Sequence, residues 1–173
     1  MIRFAAPPAL ALLIAGCAAL PPGGGSLGSA DLRTSDGRNA GTATLVASGQ
    51  GVALDVALMN VPAGTRAIHI HERGECTPPD FQSAGAHLNP EGRQHGLENP
   101  RGAHLGDLPN IEVRATGTTR ARFPLPGSRE SVLARIFDSS GAAVVVHQNA
   151  DDNVTDPAGN AGGRIVCGVL RPS

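Results

Sequence analysis

From about residue 30 onward, apolar residues recur at every second position in short runs. Examples are "TATLVAS", "GVALDVALMNV" and "TRAIHIHE", while no window carries a convincing helical stripe. Period-two alternation broken by frequent turn signals specifies half-buried strands, and several such strands predict an all-β sandwich or barrel. Gly49-Gln50-Gly51 is the expected hairpin turn between the first two runs. "NIEVRATG" and "TTRARFPL" are expected to pair with one another. "SVLARIFD" and "AAVVVHQ" are expected as strands flanking Ser139-Ser140-Gly141, and "GGRIVCGVL" as the last strand. With no Trp, no Tyr and four Phe, the core must be aliphatic and stacking platforms for bases are lacking. A net charge of −1 argues against a nucleic-acid partner.

Two stretches interrupt the strand rhythm, residues 74–109 and residues 148–163, both dense in Gly, Pro and Asn. Long structureless loops in a compact domain carry function or are tied down. The six histidines, 69, 71, 87, 95, 104 and 147, all fall in or beside these loops. His69 and His71, two apart on one strand, share a face, with Ile68 and Ile70 on the other. His87, His95 and His104 lie on the long loop with Asp107 three residues beyond the last. Three nitrogens and one oxygen suit a closed tetrahedral zinc site, and a metal there would supply folding energy to a polar loop. His69, His71 and His147 make an imidazole-rich set that suits copper, while zinc and nickel remain open on ligand chemistry alone.

The opening "MIRFAAPPALALLIAGC" has one positive charge and an apolar run too short to span a bilayer, the pattern of a secretory signal over residues 1–16. Its end, Ile14-Ala15-Gly16-Cys17, resembles the lipobox of bacterial lipoproteins, with Ile14 in place of the usual leucine. That resemblance implies a lipidated Cys17 and a membrane anchor, and Ala18 implies the outer membrane of a Gram-negative bacterium. The alternative is an ordinary cleaved signal. Residues 17–29, rich in Pro, Gly and Ser, are expected to be a flexible tether, with the domain running from 30 to 173. An exported chain whose remaining cysteines are Cys76 and Cys167 is expected to form one disulfide; two buried free thiols are the alternative. On the loop-entropy model such a cross-link is worth about 4 kcal/mol.

"HIHERGEC", "SAGAHLNP", "RQHGLENPRGAHLGDLPN", "VVVHQNADD" and "GNAGGRIVCGV" together resemble the successive motifs of copper–zinc superoxide dismutases, in order and spacing, over nearly the whole domain. The resemblance implies a flattened, eight-stranded Greek-key barrel, immunoglobulin-like, with two long functional loops. It implies copper held by His69, His71, His87 and His147, and zinc held by His87, His95, His104 and Asp107, with His87 bridging the metals as an imidazolate. Asp151 would hold the outward nitrogens of His69 and His95, and Cys76–Cys167 would be the family's disulfide. Arg164 would draw in and orient superoxide, and His87 would pass a proton to the peroxide product as oxygen and hydrogen peroxide are formed. Ala158 stands where animal and plant enzymes have threonine, and the second loop has no lysine, so long-range steering would be weaker. The loops look like those of the bacterial branch, implying a periplasmic monomer or bacterial-type homodimer. A non-enzymatic copper-binding or copper-delivery protein on the same fold is the alternative. Storage, however, would require neither all four copper ligands nor Arg164. A zinc-stapled structural barrel would leave His69, His71 and His147 without a role.

Overall fold

The computed structural model describes residues 25–173; residues 1–16, expected to be a signal, Cys17 and the rest of 1–24 lie outside them. Ten strands, one short α-helix and one 3-10 turn follow in order among the described residues: β1 (Ser26–Thr34), β2 (Asn39–Ser48), β3 (Gly51–Leu58), β4 (Gly64–Arg66), β5 (Ile68–His71), the 3-10 turn (Gln82–Ala84), β6 (Ile111–Val113), β7 (Thr119–Leu125), α1 (Arg129–Ile136), β8 (Ala143–His147), β9 (Arg164–Val169) and β10 (Arg171–Pro172). Eight strands form one antiparallel sheet in the order β5-β8-β9-β1-β2-β3-β7, with β10 beside β1. The sheet curls into a half-barrel. The two-stranded sheet β4–β6 spans between its edges: β4 runs directly into edge strand β5, and β6 lies against the other edge strand, β7.

The core is aliphatic and faces the inside of the curl, with Leu32, Leu45, Leu54, Ile68, Ile70 and Ile136 fully buried. Strand β8 is buried on both faces, which explains its continuous apolar run. Val144 and Val146 join the main core, while Ala143 and Val145 pack with Phe81, Ala84 and Cys167 under the disulfide loop. Cys76 and Cys167 are bonded, Cα atoms 5.8 Å apart, fastening the long loop to β9.

The structure corrects three expectations. Strand β1 already begins at Ser26, so residues 26–29 belong to the sheet and not to the tether. Gly28 faces inward where a Cβ would meet the Phe137 ring at 2.5 Å, so close packing selected a glycine that reads as linker. Residues 129–136 are a helix and not a strand. Ser128 caps it, accepting from Ser131 N at 3.3 Å, and Val132 and Ile136 share its buried face at helical spacing. The segments "NIEVRATG" and "TTRARFPL" do not pair: Ile111–Val113 pairs with Gly64–Arg66, and Thr119–Leu125 pairs with β3. The Gly49-Gln50 turn joins β2 and β3 as expected, with Gly49 at φ 56°.

What positions the loops is a backbone knot beneath β5. Ile70 N donates to Gly106 O at 2.9 Å, Leu88 N to Ile70 O at 2.8 Å, and Gly106 N to Leu88 O at 2.9 Å. Three segments far apart in sequence thus satisfy one another's peptide groups. A Cβ on Gly106 would lie 2.1 Å from Ile70 O, so only glycine permits this approach. Gly106→Ala is expected to pry the loop from β5 and cost about 2–4 kcal/mol, the range of severe single substitutions. A thermal melting curve that superimposes on the wild type would refute the knot's importance.

Candidate metal centre

All six histidines are buried, which is unusual for a side chain with two polar nitrogens. Strand β5 presents His69 and His71 on the face opposite Ile68 and Ile70. Its neighbour β8 ends in His147, whose N–H donates to Ala67 O at 2.9 Å. The knot at Ile70 lays His87 beside His71 and Asp107 beside His69 in isolated antiparallel bridges. Two four-residue groups result, each with its ligating atoms within 4.8 Å of one another: His69, His71, His87 and His147, and His87, His95, His104 and Asp107.

The hydrogen bonds show which nitrogen of each ring is available. His69 Nε2 lies 2.7 Å from Asp151 Oδ2, leaving Nδ1 buried with no partner. His71 Nδ1 and His147 Nδ1 lie 3.0 and 3.3 Å from the carbonyls of Gly85 and Gly162, while their Nε2 atoms face each other at 3.4 Å. In the second group, His87, His95 and His104 direct Nδ1 at Asp107 Oδ1, at 2.8, 3.0 and 3.1 Å. His95 Nε2 is held by Asp151 Oδ1 at 3.0 Å and His104 Nε2 by Arg93 O at 3.1 Å. Every histidine but His87 has an outer partner on its far nitrogen, the usual way of orienting a metal ligand. His87 Nε2 is buried without one, among the first group. Two orphaned buried nitrogens in a cage of converging imidazoles are chemically incomplete unless a cation joins them. The donor sets therefore fit one nitrogen-only site and one three-nitrogen, one-oxygen site.

Asp151 joins the two groups by spanning His69 and His95, and is gripped in turn by Asn110. Asn110 Oδ1 accepts from Asp151 N, and its Nδ2 donates to Asp151 O, both at 2.8 Å. Asn110 carries no signal in the sequence beyond its position three residues after Asp107. Arg164, paired with His147 across β8–β9, donates to Phe81 O at 2.8 Å and to Gly85 O at 2.7 Å. Gly85 O therefore serves both His71 and Arg164, fixing the guanidinium beside the first group. A cleft of about 180 Å³ opens beside His147, lined by Thr155, Asp156, Pro157 and Ala158 with no cationic side chain.

Burial, then the neighbouring His87, pushes His71 down to about 2. Burial and His69 push His147 down to about 3. Burial likewise carries His87 to about 4, against the pull of Asp107. His95 is also desolvated, but its bonds to Asp107 and Asp151 outweigh burial and raise it to about 9. Burial opposes ionisation of Asp107 and Asp151, but their histidine partners hold both well below the ordinary carboxylate range.

A copper/zinc superoxide dismutase family model matches residues 39–170, and the chain belongs to that family. It is 43% identical over 145 residues to "Superoxide dismutase [Cu-Zn] 2" of Aquifex aeolicus, covering 82% of this chain and 85% of that one. It is 40% identical over 151 residues to "Superoxide dismutase [Cu-Zn]" of Caulobacter vibrioides, covering 83% and 84%. Among solved structures, a superoxide dismutase-like protein from Bacillus subtilis superimposes with a TM-score of 0.76 at 36% identity, covering 83% of this chain and 97% of that one. Copper and zinc are the cofactors of the family, and the two ligand groups suit them.

The three lowered histidines give a pH signature to protein stripped of metal. Between the ordinary value of 6.5 and about 4, the unfolded chain takes up protons at these positions that the folded chain refuses. Stability therefore falls as pH falls through that window. His95, raised to about 9, is protonated throughout in the folded chain and opposes the slope only near pH 6.5, where the unfolded chain is still taking up its proton. Melting temperature of stripped protein is expected to drop steadily from pH 6.5 to pH 4; a flat profile would contradict three neutral buried imidazoles.

Proposed function

We propose that the protein is an active copper–zinc superoxide dismutase, in which His69, His71, His87 and His147 hold copper and His87, His95, His104 and Asp107 hold zinc. The observation that carries this reading is His87. One ring nitrogen points into each four-residue group, and it alone lacks an outer partner. A histidine that only supported the fold would have no need of two such neighbours.

Copper, when bound, supplies one-electron redox chemistry that zinc cannot, converting superoxide to oxygen in one half-reaction and to hydrogen peroxide in the other. The chain's own groups supply substrate handling and proton control. Arg164 offers a fixed positive charge beside His71 and His147, held by two carbonyls so that it meets a small anion without reorganising. His87 Nε2, buried beside the other copper-set rings, is the position from which a proton passes to the peroxide product. Asp151 keeps His69 and His95 in the ring orientation that turns Nδ1 inward.

Export and lipid attachment at Cys17, on the outer membrane of a Gram-negative bacterium, belong to the same proposal. They are supported by the Ile14-Ala15-Gly16-Cys17 motif. The Cys76–Cys167 disulfide also favours an oxidising compartment. No helix among the described residues is long and apolar enough to cross a membrane.

Loaded with both metals, the mature chain is expected to bind one copper and one zinc and to show fast, cyanide-sensitive dismutation. Metals bound without dismutation would move the reading to copper handling. His147→Ala is expected to lower copper affinity by at least about 100-fold, beyond the loss of any outer partner, and to abolish activity while zinc stays. Equal copper content in variant and wild type would sink the assignment. Asp107→Ala is expected to empty the zinc site and lower the melting temperature, because the same carboxylate orders the loop. Undiminished zinc in that variant would refute the second site.

A further inference from the structure

We infer that Asp156, in the second loop, is a positioning residue for the zinc ligand His95, and that this loop serves as a clamp across the zinc-ligand loop. The inference rests on the metal assignment above. His95 N donates to Asp156 Oδ1 at 2.6 Å, across a separation of 61 residues. His95 is thus fixed at three points: Nε2 by Asp151, Nδ1 toward Asp107, and its own peptide N–H by Asp156. The first two fix the ring, and the third fixes the backbone that carries it.

The surrounding contacts show that the two loops are built to meet here. Glu98 N donates to Asn153 O at 3.0 Å, and Asn99 Nδ2, which donates to His95 O at 2.9 Å within its own loop, also reaches Val154 O at 3.5 Å. Gly96 faces the second loop so closely that a Cβ would lie 2.2 Å from Asn153 O. Asp152 shapes the turn that presents Asp156, accepting from Val154 N at 3.0 Å and from Thr155 N at 2.8 Å. Asp156 also lines the cleft beside His147. The carboxylate there is accounted for by its bond to His95 N. One segment therefore borders the copper-side cleft and holds a zinc ligand, so displacing it loosens zinc even when every ligand is intact.

Asp156 is exposed, so its replacement leaves the core untouched. The test compares wild type, Asp156→Ala and Asp156→Asn, each loaded with copper and zinc. Zinc transfer to a colorimetric chelator is followed alongside the visible band of bound copper. Asp156→Ala is expected to release zinc about tenfold faster than wild type, the scale of losing an outer partner, with copper retained. Asp156→Asn keeps an oxygen that accepts from His95 N and is expected to stay within about twofold of wild type on the same scale. Zinc release from Asp156→Ala at the wild-type rate would overturn the clamp, as would Asp156→Asn behaving like Asp156→Ala, since charge alone would then be responsible. A wild type that takes up no zinc would overturn the metal assignment itself and the clamp with it, an outcome visible before any variant is compared.

Discussion

Asp107 carries more of this architecture than any other side chain. Its Oδ1 faces three imidazole nitrogens, and its Oδ2 accepts from the backbone of Gly96 at 2.9 Å and of His104 at 3.0 Å. The long loop between β5 and β6 has few apolar anchors, chiefly Phe81, Ala84, Leu88 and Leu108. A loop so poor in hydrophobic burial needs another source of order, and here polar groups converge on one buried carboxylate. Buried networks of this kind stabilise when every member is satisfied and penalise heavily when one is not. The two orphaned nitrogens, His69 Nδ1 and His87 Nε2, are the unsatisfied members; both lie in the first group, where a cation would complete the network.

The two ligand groups differ in what holds them. Three of the four histidines in the nitrogen-only group stand on paired strands, β5 and β8, whose register is fixed by core packing on the opposite face. The other group comes wholly from the loop and depends on the Ile70–Leu88–Gly106 knot, on Asp151 and on the second loop. Under the proposed assignment, copper would sit among rigid strands and zinc among loops, which suits a division in which one ion reacts and the other organises. His87 shares both supports, following the knot residue's loop while reaching toward the strand-borne rings. Burial disfavours the imidazolium form of His87, so one ring nitrogen is already free of its proton, and the proposed bridge would require the loss of only one more.

Much of the site was legible because its spacing is set by simple geometry. Residues two apart on a strand face one way, so the pairing of His69 with His71 follows from position alone. The loops were legible as interruptions of a strand rhythm, and the disulfide from cysteine usage in a chain whose first residues read as an export signal. What escaped was decided by tertiary contact. Gly28 looks like linker because the packed ring of Phe137 leaves no room for a side chain. Residues 129–136 read as strand because Val132, Leu133, Ile136 and Phe137 are apolar, although their spacing fits two adjacent turns of helix better than alternation. Strand β6 pairs with β4, 47 residues away between Thr65 and Glu112, and no local pattern encodes such a partner. Asn110 and Asp156 are ordinary loop residues until the fold places them against Asp151 and His95.

The charges around the copper-side cleft bear on how an anion reaches it. The second loop is acidic, yet its carboxylates are engaged with the protein. Asp151 holds two imidazoles, Asp152 caps a turn, and Asp156 holds a backbone N–H. The chain contains no lysine at all; its fourteen basic side chains are arginines. Arginine tethered by a planar fork makes a fixed local charge, unlike a mobile ammonium reaching into solvent. Arg164, half-buried and doubly bonded to carbonyls, is such a charge. At physiological ionic strength exposed charges are screened over about 8 Å, whereas a partly buried one close to the target is screened less. Under the proposed function, capture would rely on a short-range, geometrically fixed attraction, and the second loop, with no cationic side chain for steering, would serve to hold the metal ligands in place.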